Sequence, residues 1–362
     1  MGSAVGSGFS PARTHSRRRD TIATNNRPLH VSILAVPDAM LSTVTGIYDV
    51  LNSMAVLARA VPDLPQTPPF TAEVVTETET RVKVVSGLSL SGRPASEVQR
   101  TNIIIAPSLM PASLSWEKGR HEELVRWIRR MHEQGSVLVS ACTGLLLLGE
   151  TGLFDGRQAT LHPQLLEICR QTYPEIDLRP EHVLVTDGAR EQFVSSGGAT
   201  TWHDLVLYLI TRYTSAAAAV EMARFFALKA HDEGQALYSV FVPPFDHGDA
   251  MVRDAQHWLA RHLACETPVE AVVAHSGMAP RTFKRRFRAA TGFSPMGYVQ
   301  RLRVEEAKRC LERTRDPVEE IGARVGYVDP AFFRRLFKRV TMVSPAVYRQ
   351  QMKLPDPYRH RQ

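Results

Sequence analysis

The stretch from Ser276 to Pro295 reads SGMAPRTFKRRFRAATGFSP, and a related stretch from Glu319 to Arg339 reads EEIGARVGYVDPAFFRRLFKR. Both belong to an internal duplication, because Thr267-Pro268-Val269-Glu270 recurs as Asp316-Pro317-Val318-Glu319. In each copy a residue that can cap a helix precedes proline, and a glutamate stands three residues after it, which predicts a helix start. The duplication therefore predicts two copies of one small helical unit.

Each copy continues with a glycine that can turn the chain tightly, Gly277 or Gly326, and then with a second helix. Phenylalanines four residues apart share one face of that helix and should point inward. They are Phe283 with Phe287 and Phe333 with Phe337. The remaining face is largely basic, and its positions in the two copies are Arg281, Lys284, Arg285 and Arg288, and Ala331, Arg334, Arg335 and Lys338.

Helix, glycine turn and a helix with one aromatic and one basic face are typical of a helix-turn-helix, whose second helix lies in the major groove of DNA. The alternative is a pair of solvated amphipathic helices. The repetition of the turn and the basic stripe indicates that both copies have the same task, which favours DNA binding over two merely solvated helices.

Charge is distributed unevenly along the 362 residues, which carry a formal net charge of +7. Residues 249–362 hold 22 basic and 12 acidic side chains, whereas residues 28–248 hold 17 basic and 24 acidic ones. An acidic body joined to a basic terminal third indicates a polyanion-binding module attached to a part with another task. The four cysteines have no metal-ligand spacing and are too few for a disulfide framework, so we expect no metal and no cofactor.

The acidic body alternates short apolar strands with amphipathic helices, which predicts an α/β fold of the flavodoxin-like kind, with a mostly parallel sheet and helices on both faces. Its sharpest feature is the strand Val137 to Ser140, which runs into Ala141-Cys142-Thr143-Gly144 and an apolar helix. Strand, tight turn and helix form a nucleophile elbow. Two interpretations remain open for Cys142: a reactive thiol with His162 as its base, or a small buried side chain beside a helix-capping histidine.

The basic third resembles the AraC/XylS family of bacterial transcription regulators over roughly residues 249–352. The resemblance implies an all-α domain of two helix-turn-helix units, joined by a long helix at about Pro295 to Leu311, that enter successive major grooves about 34 Å apart. It places base contacts on Arg281, Lys284 and Arg285 and on Ala331, Arg334 and Arg335. Ala331 offers only a small apolar contact, such as one to a thymine methyl group.

Residues from His30 to about Tyr213 look like the PfpI-like branch of the class I glutamine amidotransferase-like fold, on the motif VLVSACTGLLLLGETGLFDGRQATLH. Chains that pair this domain with the AraC-type module form the GlxA-like group. That branch commonly has an acidic residue after the first strand, where this chain has Leu41-Ser42-Thr43, and its peptidase-like members have histidine where Thr143 stands. Both departures favour a non-enzyme.

A non-catalytic domain of this fold still offers a ligand crevice at the carboxyl ends of its strands. The residues predicted to line it are Ser42, Thr43, Ser108, Cys142, Thr143, His162, Ser196 and Gly197. Resemblance suggests a small nitrogen-containing metabolite as the effector. Trp202 has two interpretations, a cation-binding surface or a core side chain.

The sequence therefore predicts a cytoplasmic, bacterial transcription regulator that binds double-stranded operator DNA and a small effector, forms a homodimer through its first domain and has no membrane partner. The predicted boundaries are a basic tail at 1–27, a sensor domain at 28–230, a linker at 231–248, a DNA-binding domain at 249–352 and a tail at 353–362. Two alternatives remain: a cysteine-dependent amidase or hydrolase with a DNA-tethering module, and a nonspecific nucleic-acid binder.

Overall fold

A computed structural model describes residues 27–111, 115–231, 235 and 238–352. The two predicted tails, apart from Arg27, lie outside these ranges. The amino-terminal part is built on a seven-stranded sheet with two small additional sheets. Its strands are β1 Leu29–Ala35, β2 Phe70–Thr76, β3 Arg81–Lys83, β4 Ser89–Ser91, β5 Arg93–Pro94, β6 Ile103–Ala106, β7 Val137–Ala141, β8 Gln158–Ala159, β9 Asp177–Leu178, β10 Leu184–Asp187 and β11 Phe193–Ser196.

Six α-helices accompany these strands, and seven more form the carboxyl-terminal part. The first six are α1 Leu41–Leu57, α2 Glu122–Glu133, α3 Gly144–Gly149, α4 Leu166–Thr172, α5 Trp202–Tyr213 and α6 Ala216–Phe226. The others are α7 Ala250–Arg261, α8 Pro268–Ser276, α9 Pro280–Thr291, α10 Pro295–Arg313, α11 Val318–Arg324, α12 Pro330–Thr341 and α13 Pro345–Met352. No helix among the described residues combines the length and apolarity that a membrane crossing requires.

The main sheet has the strand order β10-β11-β7-β6-β1-β2-β5 and is parallel except for β10, which runs antiparallel to β11. From β1 the chain moves to β2 on one side, and from β6 it moves to β7 in the opposite direction. Since such crossovers are right-handed, α1 and α2 cover opposite faces of the sheet. The predicted fold is confirmed, and the strand order reverses between β1 and β6, which is where parallel sheets of this kind open a crevice.

The helical part contains the predicted duplication as two small cores on one shared helix. Helices α7, α8 and α9 pack around Phe283 and Phe287, and α11, α12 and α13 pack around Phe333 and Phe337. The first half of α10 contributes Tyr298 to the first core, and its second half contributes Leu311 to the second. Each core also excludes water from one face of a basic helix.

The helix starts differ in detail from the sequence prediction. Thr267 precedes α8 but its side chain makes no capping hydrogen bond, and the second copy begins at Val318 with Pro317 before it. The Asp316 carboxylate pairs instead with Arg324, with Nη2 and Oδ2 2.7 Å apart. The two glycine turns form as predicted, with φ of +65° at Gly277 and +90° at Gly326.

The Ala-rich run predicts a helix over 216–230, but the helix ends earlier, at Phe226, because Ala227 takes a left-handed conformation. The sequence also predicts a helix over 163–173, which begins as a 3₁₀ turn and becomes α-helical only at Leu166. The apolar runs from Val31 to Val36, Ala72 to Thr76, Asn102 to Ala106 and Val137 to Ser140 predict β1, β2, β6 and β7. Strands β3, β4, β5, β8, β9, β10 and β11 have no counterpart in the sequence prediction, because they are two to four residues long and less uniformly apolar.

Arg303 joins the two helical units. Its buried guanidinium lies on α10 and donates to three carbonyl oxygens, with distances of 2.8 Å to Leu263, 2.6 Å to Cys265 and 2.9 Å to Gly326. Two of these carbonyls follow α7 in the first unit, and the third belongs to the turn of the second unit. The guanidinium also lies 4.8 Å from the centre of the Tyr327 ring. One side chain therefore fixes the turn of the second unit against the first.

We expect Phe333→Ala to lower the free energy of unfolding of the helical part by about 3 to 5 kcal/mol, because it empties a fully buried site. Phe332 is the matched control, since it is 39% exposed on the same helix, and Phe332→Ala should cost less than about 1 kcal/mol. Urea unfolding followed by circular dichroism measures both. Equal losses would show that the aromatic face does not form the core.

Arg303→Ala should cost about 3 kcal/mol or more, since three carbonyl groups inside the domain lose their donor together. Arg309 is exposed on the same helix and pairs with Glu306, so Arg309→Ala should cost less than about 0.5 kcal/mol. The same urea titrations compare the two variants. A loss for Arg303→Ala no larger than that of its control would mean that the units are held together in another way.

Candidate nucleic-acid interface and effector pocket

The basic faces of the two second helices, α9 and α12, lie at the surface. All eight side chains predicted to face DNA are exposed: Arg281, Lys284, Arg285, Arg288, Ala331, Arg334, Arg335 and Lys338. The phenylalanines on the opposite faces of the same helices are fully buried. Each helix is thus held by its aromatic side and presents its cations outward, as a recognition helix requires.

The two basic faces differ in their acidic partners. On α12, Arg334 pairs with Glu319, and Arg335 Nη2 lies 3.9 Å from Asp329 Oδ2. In the part of the chain that the structure describes, none of the four α9 side chains predicted to face DNA forms an ion pair with a carboxylate. The first unit therefore presents the stronger positive field, while the second must exchange exposed ion pairs for phosphate or base contacts. Exposed pairs are weak, so that exchange costs little.

Arg286 stands apart from its neighbours on α9. Its side chain turns back to the helical part and forms an ion pair with Asp249, the residue that caps α7. The pairing raises the pKa of Arg286 and lowers that of Asp249, through their mutual hydrogen bond. Arg286 is thus a cation on α9 that already has an acidic partner, Asp249.

The carboxyl edge of the sheet collects buried polar side chains from four neighbouring segments. Thr43 comes from the first turn of α1, Ser108 follows β6, Cys142 follows β7 and Ser196 ends β11, and all four are buried. Among the described residues the Thr43 and Ser196 hydroxyls have no hydrogen-bond partner, and that of Ser108 has none beyond the adjacent Cys142 thiol. Buried hydroxyls normally find partners, so these groups are the candidates for ligand contacts at this edge.

The remaining predicted pocket residues lie in different surroundings. Ser42 is exposed on α1. Thr143 is committed to the fold, because its hydroxyl exchanges two hydrogen bonds of 2.5 Å with the backbone of Leu109. Trp202 packs its ring over Gly46 of α1, where a β-carbon would come within 2.6 Å of it, and this favours the core interpretation.

Cys142 occupies the sharp turn of the elbow, with φ of +55°, and its backbone N–H donates to the Ser196 carbonyl at 2.9 Å. Gly144 allows α3 to start against the sheet, since a β-carbon there would lie 2.3 Å from the Ala106 carbonyl oxygen. Burial raises the pKa of the Cys142 thiol to about 11, against the opposing effect of hydrogen bonds from Ser108, Thr143 and the His162 backbone. The thiol is therefore protonated at neutral pH.

His162 lies next to this thiol, but through its backbone and not as a base. Its amide faces the Cys142 sulfur, while its ring Nδ1 accepts a hydrogen bond of 3.2 Å from the Gln164 amide and caps the short 3₁₀ turn. Burial also lowers the pKa of His162. Asp38, the acid closest to the end of β1 along the chain, binds Arg120 at 2.7 Å. Within the described ranges the structure thus assembles no set of nucleophile, base and acid around Cys142.

Gln235 is the pocket-edge residue that sequence reasoning missed. It comes from the predicted linker, yet its side chain is only 1% exposed and lies directly over Gly197. No pattern in the sequence marks it, because a single glutamine in an irregular segment carries no periodicity. A metal site has no support either: among the described residues no three His, Cys, Asp or Glu side chains come together as possible ligands.

Comparison with known proteins matches residues 272–351 to a helix-turn-helix domain family. The transcriptional regulator CdhR of Pseudomonas aeruginosa is 26% identical over 237 residues, which cover 65% of this chain and 69% of CdhR. The regulator GbdR of the same species is 23% identical over 242 residues, which cover 65% of this chain and 63% of GbdR. A solved ThiJ/PfpI family protein from Pseudomonas syringae has a TM-score of 0.44 and 18% identity over 70% of this chain and 92% of its own.

Residues 272–351 thus form a helix-turn-helix domain of the AraC type, and the chain is similar to the AraC-family regulators CdhR and GbdR. The matches to CdhR and GbdR are longer than the helix-turn-helix domain, and both relatives are transcriptional regulators, which supports a DNA-binding regulator over an enzyme that carries such a domain. The sequence prediction on both points is confirmed.

We expect iodoacetamide to alkylate native Cys142 at pH 7.5 about a hundredfold more slowly than in the chain unfolded in urea. The reason is the raised pKa of the thiol, which leaves little thiolate to react. Cys265 is the internal control, since it is partly exposed and should react in the folded chain. Peptide mass spectrometry separates the two cysteines. Equal alkylation rates for native and unfolded Cys142 would indicate an activated thiol and would support the amidase alternative.

Proposed function

We propose that this regulator binds a specific operator through both second helices and senses a small nitrogen-containing molecule at the carboxyl edge of its sheet. In this proposal residues 28–230 form the sensor domain, 231–248 the linker and 249–352 the DNA-binding domain. The observation that carries the DNA part is the repeated pair of helices, each with buried phenylalanines on one face and exposed cations on the other. Arginine and lysine at such positions suit the O6 and N7 atoms of guanine.

The effector part of the proposal is supported by the buried polar groups at the sheet edge. Thr43 and Ser196 hydroxyls without partners, beside Ser108 and Cys142, would gain hydrogen bonds from a small polar ligand. Unsatisfied buried groups of this kind raise the energy of the empty state, and a ligand that pairs them lowers it. The nitrogen-containing character of the ligand rests on the resemblance to PfpI-like regulators.

Homodimer formation through the first domain is also part of the proposal. Val56 on α1 and Phe225 on α6 are 67% and 62% exposed, and the two helices that carry them pack together. Exposed apolar side chains on adjoining helices suit an interface between copies. Two copies would place two pairs of recognition helices on one operator, in keeping with the symmetry of repeated half-sites.

We expect Arg285→Ala to weaken binding to the preferred operator by about 1 to 3 kcal/mol and to relax specificity at one base pair. Arg286→Ala is the matched control, because it removes the same charge from α9 at a position already paired with Asp249. Genomic fragments retained by the purified chain at physiological salt identify the operator, and fluorescence anisotropy at one fixed salt concentration gives the affinities.

Three outcomes would contradict the assignment. Equal losses for Arg285→Ala and Arg286→Ala would mean that only charge matters. An equal loss on operator and random DNA for Arg285→Ala would mean that this side chain reads no base. A wild-type chain with equal affinity for every duplex would be a nonspecific binder, since specific binding exceeds it by about 10³ or more.

A further inference from the structure

The second recognition helix begins with an apolar surface, whereas the first begins with a cation. Helix α9 starts at Pro280 and α12 starts at Pro330, so Ala331 stands where the first unit has Arg281. The residues at the amino-terminal end of a recognition helix are those that contact base edges. The two units therefore present different chemistry at the position where each helix meets DNA.

Three side chains form this surface, which we call the apolar patch: Val328, Ala331 and Phe332. All three are exposed, although Phe333 beside them is fully buried. Val328 is 91% exposed, more than any other large apolar residue in the described ranges. Exposed apolar side chains that lie together mark a surface that another molecule covers.

The exposed ring of Phe332 extends the aromatic core of the second unit. Its centre lies 5.7 Å from that of the Tyr327 ring, and Tyr327 in turn stacks on the buried Phe333 with the planes 28° apart. The Arg303 guanidinium lies 4.8 Å from the same tyrosine ring. The position of Phe332 is thus fixed before any partner arrives, and a side chain held in this way loses little conformational entropy on binding.

The apolar patch borders the basic face of α12. Phe332 and Arg335 are three residues apart, so they are neighbours on the helix surface. Asp329 follows Val328 and caps the helix by accepting a hydrogen bond of 2.8 Å from the Ala331 N–H. Its Oδ2 atom lies 3.9 Å from Nη2 of Arg335. A duplex that contacts the cations of α12 therefore also covers the apolar patch, and this continuity favours DNA as its partner.

The major groove offers an apolar side chain a single kind of target. Guanine, adenine and cytosine present only nitrogen and oxygen groups there, whereas thymine adds a 5-methyl group. Alanine and phenylalanine are among the residues that contact this methyl group, and neither can bond to the O6 and N7 atoms of guanine. The apolar patch therefore matches thymine, as Arg281 at the start of α9 matches guanine.

We propose that the apolar patch reads thymine methyl groups, so that thymines specify the operator under the start of α12 and guanines specify it under the start of α9. The proposal deepens the operator binding proposed above and rests on it. It makes Val328 and Phe332 specificity-determining residues, although neither belongs to the eight DNA-facing positions predicted from the sequence. The two units of the duplication then differ in the class of base that they recognise.

Deoxyuridine tests the proposal, because it pairs with adenine as thymine does and lacks only the 5-methyl group. The operator recovered from genomic fragments is synthesised with each thymine replaced in turn, and fluorescence anisotropy with the full-length chain gives the affinities at one salt concentration. At one or two positions the replacement should weaken binding about fourfold, the value of one buried methyl group. Wild-type binding that no replacement changes would overturn the proposal.

Phe332→Ala and Val328→Ala connect the methyl effect with the apolar patch. Both should bind the operator more weakly, and in at least one of them the loss caused by deoxyuridine should disappear at one position. Thr282→Ala is the matched control, because Thr282 is the exposed residue of α9 that corresponds to Phe332. It should keep every deoxyuridine effect of the wild type. The slope of log affinity against log salt should stay unchanged in all three variants, since none removes a charge.

Two outcomes with these variants would contradict the proposal. A deoxyuridine effect that persists in both Phe332→Ala and Val328→Ala would arise from the shape of the DNA and not from this contact. An operator affinity unchanged in both would mean that the apolar patch serves another partner, such as a protein. The urea titration of Phe332→Ala shows independently that the variant is folded.

This inference and the operator proposal fail in different ways. A wild-type chain that binds every duplex equally refutes the operator proposal, and thymine reading with it. A chain that prefers an operator and loses affinity with Arg285→Ala, but responds to no deoxyuridine, keeps the operator proposal and refutes thymine reading alone. Deoxyuridine effects that Phe332→Ala or Val328→Ala abolishes, and that Thr282→Ala retains, support both.

Discussion

The contact on which the helical part depends is the guanidinium of Arg303. Two cores that share only one helix could tilt about it, and DNA binding through two grooves requires that they do not. Arg303 removes this freedom, because its three donors reach carbonyls from both units and its plane lies against the Tyr327 ring. One buried cation thus helps the shared helix α10 to fix the spacing of α9 and α12, and the exposed cations of these two helices remain available for DNA.

The sequence predicts those parts of the structure that local patterns encode. Each helix-turn-helix unit is recognisable from its phenylalanines at i and i+4, its glycine at the turn and its basic stripe. Four of the sheet's seven strands are recognisable as apolar runs, with Ile103 to Ala106 as an example. The elbow at Cys142 follows from strand, turn and helix in succession. These features depend on residues within a few positions of each other, so one sequence is enough to find them.

The remaining features depend on contacts between distant segments, which no local pattern records. In the sequence, Arg303 and Lys308 are two charged residues among several on one helix, and only the fold shows that they are buried. Gln235 meets Thr160 across 75 positions of the chain. The role of His162 was open for the same reason, because only the structure shows that its ring caps a turn while its backbone faces the thiol. Burial of polar residues is the information that the sequence lacked.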